Sequence, residues 1–146
     1  MVTVRELLGV KGRHAVLTVE PTTTVRDAAR RMNEAGTGSV LVEQDGQLLG
    51  IFTERDLMRR VVAVDLAPGE TTVGETMTTA LVTATPEATL ADCGHLMSAR
   101  RIRHLPVVDG DRVMGVVTTG DLLAHELAEK NAAIQQLESF IFYTRN

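Results

Sequence analysis

GIFTERD, from Gly50 to Asp56, and GVVTTGD, from Gly115 to Asp121, share one frame: a glycine, two apolar residues, a threonine, two variable residues and an aspartate. The two stretches lie 65 residues apart, and the offset holds as one reads outward. Pro21 and Pro86 keep it, as do Thr24-x-x-Asp27 with Thr89-x-x-Asp92 and the apolar runs Val40 to Val42 with Leu105 to Val107. Landmarks in constant register mean one unit built twice. A weaker start signal, Thr3-Val4-Arg5-Glu6, recurs as Thr72-Val73-Gly74-Glu75 at an offset of 69. The first copy therefore carries a four-residue insertion between Glu6 and Pro21, placed around Gly9 to Arg13.

At 146 residues the chain has the size of one domain. Each half, at about 60 residues, would be marginal alone and is expected to share a core with its twin. The formal charge of -4 gives no drive toward nucleic acid, and a 3% aromatic fraction without Trp leaves no stacking platform for single strands. No run of 18 apolar residues suggests a membrane span, and Glu6 in a capped helical start takes the place of a signal segment. With a single cysteine and no internal disulfide, the expectation is a cytoplasmic protein with neither nucleic acid nor membrane as partner. Cys93 could sense redox state, but on a helix with Ala, Leu and Met it reads as core.

Each copy reads as strand, helix, strand, strand, helix. In the first, Ala15 to Val19 is a strand, Thr24 with Asp27 caps a helix to Ala35, Val40 to Val42 and Leu48 to Phe52 are strands, and Glu54 to Val62 is the closing helix. The Asp45-Gly46 step joins those strands as a hairpin. The second copy repeats the plan with Leu81 to Ala84, Leu90 to Ala99, Leu105 to Val108, Val113 to Thr118 and a helix from Thr119, with its hairpin at Asp109 to Arg112. Residues 65–71, with Pro68-Gly69, form the linker. The units are taken as 1–66, with the capped start, and 67–125, followed by an extended helix over 119–142. On that helix Leu127, Ile134 and Ile141 recur every seventh residue, with Leu123 and Leu137 beside them and Lys130 interrupting. It either lies on its own module or, as we favour, pairs with another subunit.

Thr53 and Thr118 end apolar strands, three residues before Asp56 and Asp121. A threonine N-cap with an acid at N3 stabilises a helix start locally, and the chain uses the same device at Thr24 and Thr89. The alternative is functional: a carboxylate at a strand-to-helix junction can accept the hydroxyls of a ribose, while helix N–H groups meet phosphate. Neither a Walker loop nor a dinucleotide glycine fingerprint is present.

The paired units, with V-x-P before a capped helix and G-h-h-T-x-x-D after a hairpin, resemble a tandem pair of CBS domains, a Bateman module of the stand-alone bacterial type, over residues 3–125. The resemblance implies an α/β (α+β) fold of two pseudo-symmetric β-α-β-β-α units, a homodimer of modules, and clefts for adenosine compounds such as AMP, ADP, ATP, S-adenosylmethionine or NAD(H). It implies that Thr53 with Asp56 and Thr118 with Asp121 hold ribose and nearby phosphate, and that Thr18 to Glu20 and Thr83 to Thr85 wall the adenine. Thr18, Glu20, Thr83 and Thr85 are the named candidates there.

The copies differ at the turn before the middle strand: Ala35-Gly36-Thr37-Gly38-Ser39 against Arg100-Arg101-Ile102-Arg103-His104. Arg101, Arg103 and His104, with Arg100, could draw nucleotide phosphates, while Gly38 and Ser39 would admit a bulky ligand or a neighbouring backbone. The arginines could equally be a solvated face balanced by Asp109 and Asp111. A single occupied cleft is expected to be the one using the arginine turn. Arg55 adds a phosphate contact in the first copy, where the second has Gly120.

Cys93 and His95, two apart on a helix, do not share a face, His14 and His104 belong to separate segments, and His125 near Glu129 reads as helix surface, so no metal site is expected. No nucleophile motif such as G-x-S-x-G occurs, and no enzyme is expected. Two functions of different class remain: a regulatory module that needs no cofactor, senses an adenosine nucleotide (AMP, ADP or ATP) and signals to an unidentified protein, or an adaptor with vestigial clefts that works through its last helix. A nucleotide-processing enzyme is a distant third.

Overall fold

A computed structural model describes residues 1–11 and 16–144. The elements follow in the order α1 (Val4–Lys11), β1 (Thr18–Val19), α2 (Val25–Ala35), β2 (Ser39–Gln44), β3 (Gln47–Thr53), α3 (Glu54–Leu57), α4 (Val73–Thr76), α5 (Leu90–Arg100), β4 (His104–Asp109), β5 (Arg112–Thr118) and α6 (Thr119–Thr144). Helix α3 runs on as a π turn over Met58–Val62. A βαββα-like plan recurs in both halves, with a long terminal helix.

Local chemistry sets these boundaries. Thr24 Oγ1 accepts the Asp27 N–H at 3.1 Å and Thr89 Oγ1 accepts that of Asp92 at 3.1 Å, which starts α2 and α5. Gly36 stops α2 in the left-handed region at φ 66°, and Asp45 and Gly46 turn the first hairpin with φ of 53° and 76°. Each hairpin is antiparallel, pairing Val40 with Phe52 in the first copy and Leu105 with Val117 in the second.

Two expectations need correction. The first strand is only Thr18–Val19, pairing in parallel with Leu41 and Val42, and the Ala15 end of the expected run lies outside the described residues, as do Gly12, Arg13 and His14. In the second copy Leu81 to Ala84 forms no strand, only a parallel bridge from Ala84 to Val107. The cause is in the sequence: Leu41 donates its N–H to Leu17 at 2.9 Å, and the residue 65 further on is Pro106, which has no N–H.

The packing exchanges the two starts. Helix α1, first in the chain, docks on the second copy: Val4 N–H donates to Ala88 at 2.8 Å, Arg5 N–H to Pro86 at 2.9 Å, and Val4 is buried with Leu90, Cys93, Leu105 and Val117. Helix α4 docks on the first copy, where Val73 N–H donates to Thr23 at 2.8 Å and Val73 joins Val25, Val40 and Phe52. Segment 1–66 thus lends its capped helix to the other unit's core. A third cluster, Leu41 and Ile51 with Val116, joins the two sheets. The halves share a core, as their size required.

Only the start of the 26-residue α6 packs on the module, where Leu122 lies against the second core. Every residue from Glu126 to Ile141 is exposed, Leu127, Ile134, Leu137, Phe140 and Ile141 among them.

Candidate functional site

At the first junction the end of β3 leaves Thr53 extended, so that its side chain turns onto the following helix. Thr53 N–H donates to Asp56 Oδ2 at 3.0 Å, and Asp56 N–H donates to Thr53 Oγ1 at 3.4 Å, a reciprocal capping box. Asp56 has further partners. Thr53 Oγ1 reaches Oδ2 at 3.3 Å, Thr78 Oγ1 donates to Oδ1 at 2.9 Å, and Arg60 Nε stands 3.7 Å from Oδ1. Arg60 also donates to the carbonyls of Met77 at 2.8 Å and Thr76 at 3.3 Å. This carboxylate, 6% exposed, ties the segment between the copies to the end of β3.

The second junction repeats the cap, with Thr118 N–H on Asp121 Oδ2 at 2.9 Å and Asp121 N–H on Thr118 Oγ1 at 3.0 Å. Its surroundings differ. Asp121 is only half-buried. Sixty-five residues after Arg60 stands His125, whose Nε2 lies 3.2 Å from Glu129 Oε1; Thr78 corresponds to Arg13, outside the described residues. The local cap is realised at both sites, and the two carboxylates are in unequal positions.

Both junctions open on clefts. The first, about 590 Å³, brings Thr53, Arg55, Asp56 and Thr78 against the turn of Arg100, Arg101 and Arg103. The second, about 500 Å³, sets Thr118, Gly120 and Asp121 opposite Leu17 and the small residues Ala35 to Gly38. Glu54, Arg103 and His104 line both, so the clefts are neighbours across one wall. Gly38 keeps this wall close: a Cβ would stand 2.6 Å from Glu54 Oε1 and 3.2 Å from His104 Nε2, and the exposed Glu54 side chain would have to shift. Arg101 ends α5 in the left-handed region at φ 55°, where the first copy has Gly36, and its carbonyl accepts Arg55 Nη1 at 3.2 Å.

The structure does not bring every predicted residue together. Ser39 is buried beside the cleft and lines neither one. Thr18 and Glu20 line a separate hollow with Arg31, Glu43 and Asp45, beside the first hairpin. Because β1 runs parallel to β2, residues after Leu17 climb away from the Ser39 end where the cleft lies. Thr83 and Thr85 are exposed and line neither cleft. Sequence reading missed Leu17, Glu54, Arg60 and Thr78. Arg60, one helical turn after Asp56, had a spacing signal; Thr78, 22 residues away, had none.

Among the described residues no group of three or more His, Cys, Asp or Glu could hold a metal ion. Cys93 is buried in the second core, and its thiol is pushed up, first by burial and then by the charge of Asp92. It packs in that core with Val4, Leu90 and Met97. No helix among the described residues is long and apolar enough to cross a membrane.

A paired hairpin-and-helix unit with capped T-x-x-D junctions is a family architecture, and the CBS domain model matches residues 4–63 and 73–128. The chain belongs to the CBS-domain family. It is 37% identical over 117 residues to the CBS domain-containing protein YhcV of Bacillus subtilis, covering 80% of this chain and 83% of that one. A crystal structure of a CBS-domain containing protein from Agrobacterium tumefaciens aligns with TM-score 0.80 and 34% identity, over 86% of this chain and 99% of the other. CBSX2, whose crystal structure is in complex with AMP, aligns with TM-score 0.73 and 25% identity, over 89% and 99%. CBS domains are in general non-catalytic, and this pair has a regulatory module's architecture.

Proposed function

We propose that this CBS pair binds an adenosine nucleotide (AMP, ADP or ATP) in its clefts and passes occupancy to a regulated protein or to a second copy of itself. The observation that carries the reading is the Thr118–Asp121 junction. There a hydroxyl, a half-buried carboxylate and the start of a 26-residue helix meet at a cleft walled by Leu17 and by small residues. A carboxylate accepts from a ribose diol, a helix start favours phosphate, and a small-residue wall leaves room for a flat base. The AMP bound by CBSX2 supports the choice of ligand.

Dimerisation is part of the reading. Met58 and Val62 are exposed on the closing helix of the first copy, and 65 residues on Leu123 and Leu127 are exposed on α6. Two quasi-equivalent apolar helix faces suit a twofold, self-complementary contact. Calorimetric titration with AMP, ADP and ATP tests the nucleotide reading: it expects saturable binding lost in Asp121→Ala, and heat from none of the nucleotides would refute it.

The exposed apolar residues of α6 favour a second reading, an adaptor that works through that helix. Truncation after Ala124 separates the two. Loss of assembly with intact nucleotide binding fits a sensor with a helical contact; loss of assembly in a protein that binds no nucleotide fits the adaptor.

A further inference from the structure

Helix α6 carries its large aliphatic residues on one seam. Leu123, Leu127, Ile134, Leu137 and Ile141, with Lys130 between the second and third, follow spacings of four and three residues in turn, the pattern that keeps a stripe facing a partner helix. The five aliphatic residues are exposed. Leu122, which packs on the second core, is one residue from Leu123 and so about 100° around the helix. The seam therefore points aside from the module, and a second helix can lie along it without displacing a packed residue. Helices take most of their stability from such packing, and from Glu126 to Ile141 every residue of α6 is exposed.

The seam complements itself in one direction. Laid antiparallel about Ala132, two copies meet as Leu123 with Ile141, Leu127 with Leu137 and Lys130 with Ile134, so every seam residue finds a seam partner and each lysine an aliphatic one. Asn131 then stands beside Asn131 at the twofold, where an amide can pair with its own copy, and Ala133 beside Ala133. Lys130, leaning toward the start of its helix, comes level with its own Glu126 and with the second copy's Glu138. Parallel alignment instead sets Lys130 against Lys130 in one layer, and its flanking positions offer no compensating pair, since Glu126 falls opposite Asn131 and Glu138 opposite Ala133. We infer that α6 is a docking surface for the α6 of a second copy, in antiparallel orientation and centred on Ala132. The inference rests on the dimer of the reading above and adds which helix makes it and in which direction. It places the two modules at opposite ends of the helix pair.

The test is oxidative cross-linking of the full chain, with the buried Cys93 left in place and the wild type as its control. Both substituted positions are exposed, so the variants keep the fold. Leu123→Cys alone and Ile141→Cys alone should form no disulfide dimer, because like positions at the ends of an antiparallel pair lie about 27 Å apart. Mixed and allowed to exchange subunits, the two variants should cross-link to each other. Analytical ultracentrifugation of Lys130→Leu should show a dimer about tenfold tighter than wild type, since the one charge is then gone from the seam. Self-cross-linking of either cysteine variant would mean a parallel pair and overturn the inference, and so would an unchanged affinity in Lys130→Leu. A dimer that survives truncation after Ala124 at full affinity also overturns it, while leaving dimerisation through other faces standing. A full chain that stays monomeric overturns both the inference and the dimer it rests on, and nucleotide titration of that monomer still decides the sensor reading separately.

Discussion

The Asp56 and Asp121 junctions share a backbone plan and a capping box, yet they differ in burial and surroundings. Asp56 is buried and spends its oxygens on Thr53, Thr78 and Arg60, which fasten the segment between the copies. Asp121 makes the same cap at the edge of an open cleft. Duplication supplied two equal carboxylates, and residues far away in the chain made them unequal. A repeated motif is therefore a weaker guide to a repeated site than its spacing suggests.

The largest expected break in this comparison is in stability. Asp56→Ala removes a buried cap together with the bonds to Thr78 and Arg60 and should cost about 2–4 kcal/mol, more than Asp121→Ala at the half-buried junction. Urea denaturation of the two variants side by side measures the difference; equal losses would mean that the junctions are equivalent after all. The next contrast lies at the glycines that open the two motifs. A Cβ on Gly50 would stand 2.7 Å from the backbone oxygen of Thr78, while one on Gly115 would meet only the side chain of Leu8 at 2.8 Å. Backbone cannot step aside as a leucine can, so Gly50→Ala should cost about 1–3 kcal/mol and Gly115→Ala clearly less, read from thermal midpoints.

A smaller effect has the opposite sign. Arg101→Gly relieves the left-handed cap of α5 and should stabilise the chain by about 0.5–1 kcal/mol, while Gly36→Arg in the first copy should destabilise it by a similar amount. The smallest effect concerns the docking of α1. Arg5 Nη2 lies 2.9 Å from Glu87 Oε1, and that hydrogen bond holds the Glu87 carboxyl below its ordinary range. A lowered carboxyl contributes stability above the unfolded-state value and loses it as the pH falls through the folded one. Glu87→Gln should therefore lower the thermal midpoint slightly at neutral pH and leave it unchanged in acid, and added salt should erase even the neutral-pH difference.

Much of this architecture was legible in the residues because the signals are local. The caps at Thr24, Thr89, Thr53 and Thr118 and the Asp45-Gly46 turn each settle a boundary within a few residues. The exchange of α1 and α4 between copies was not legible, since nothing in either helix names the core it will enter. The missing strand at Leu81 to Ala84 follows from Pro106, but only once that proline is known to face Val82 as Leu41 faces Leu17. The same limit applies to the candidate site. The T-x-x-D pairs and the arginine turn are legible in the sequence, whereas the placement of Thr18, Glu20, Thr83 and Thr85 off the two clefts is not, because strand direction relative to the cleft is a tertiary property. Thr78, which decides the fate of Asp56, is silent in the sequence.

The most direct test of a nucleotide site centred on the second copy is hydrogen–deuterium exchange of the full chain with and without saturating ATP. The account predicts new protection over Val117 to Leu122 and over the Arg100 to His104 turn, with the already tied Thr53 to Asp56 segment unchanged. Protection concentrated at Thr53 to Asp56 and Thr78, with Val117 to Leu122 unaffected, would contradict it.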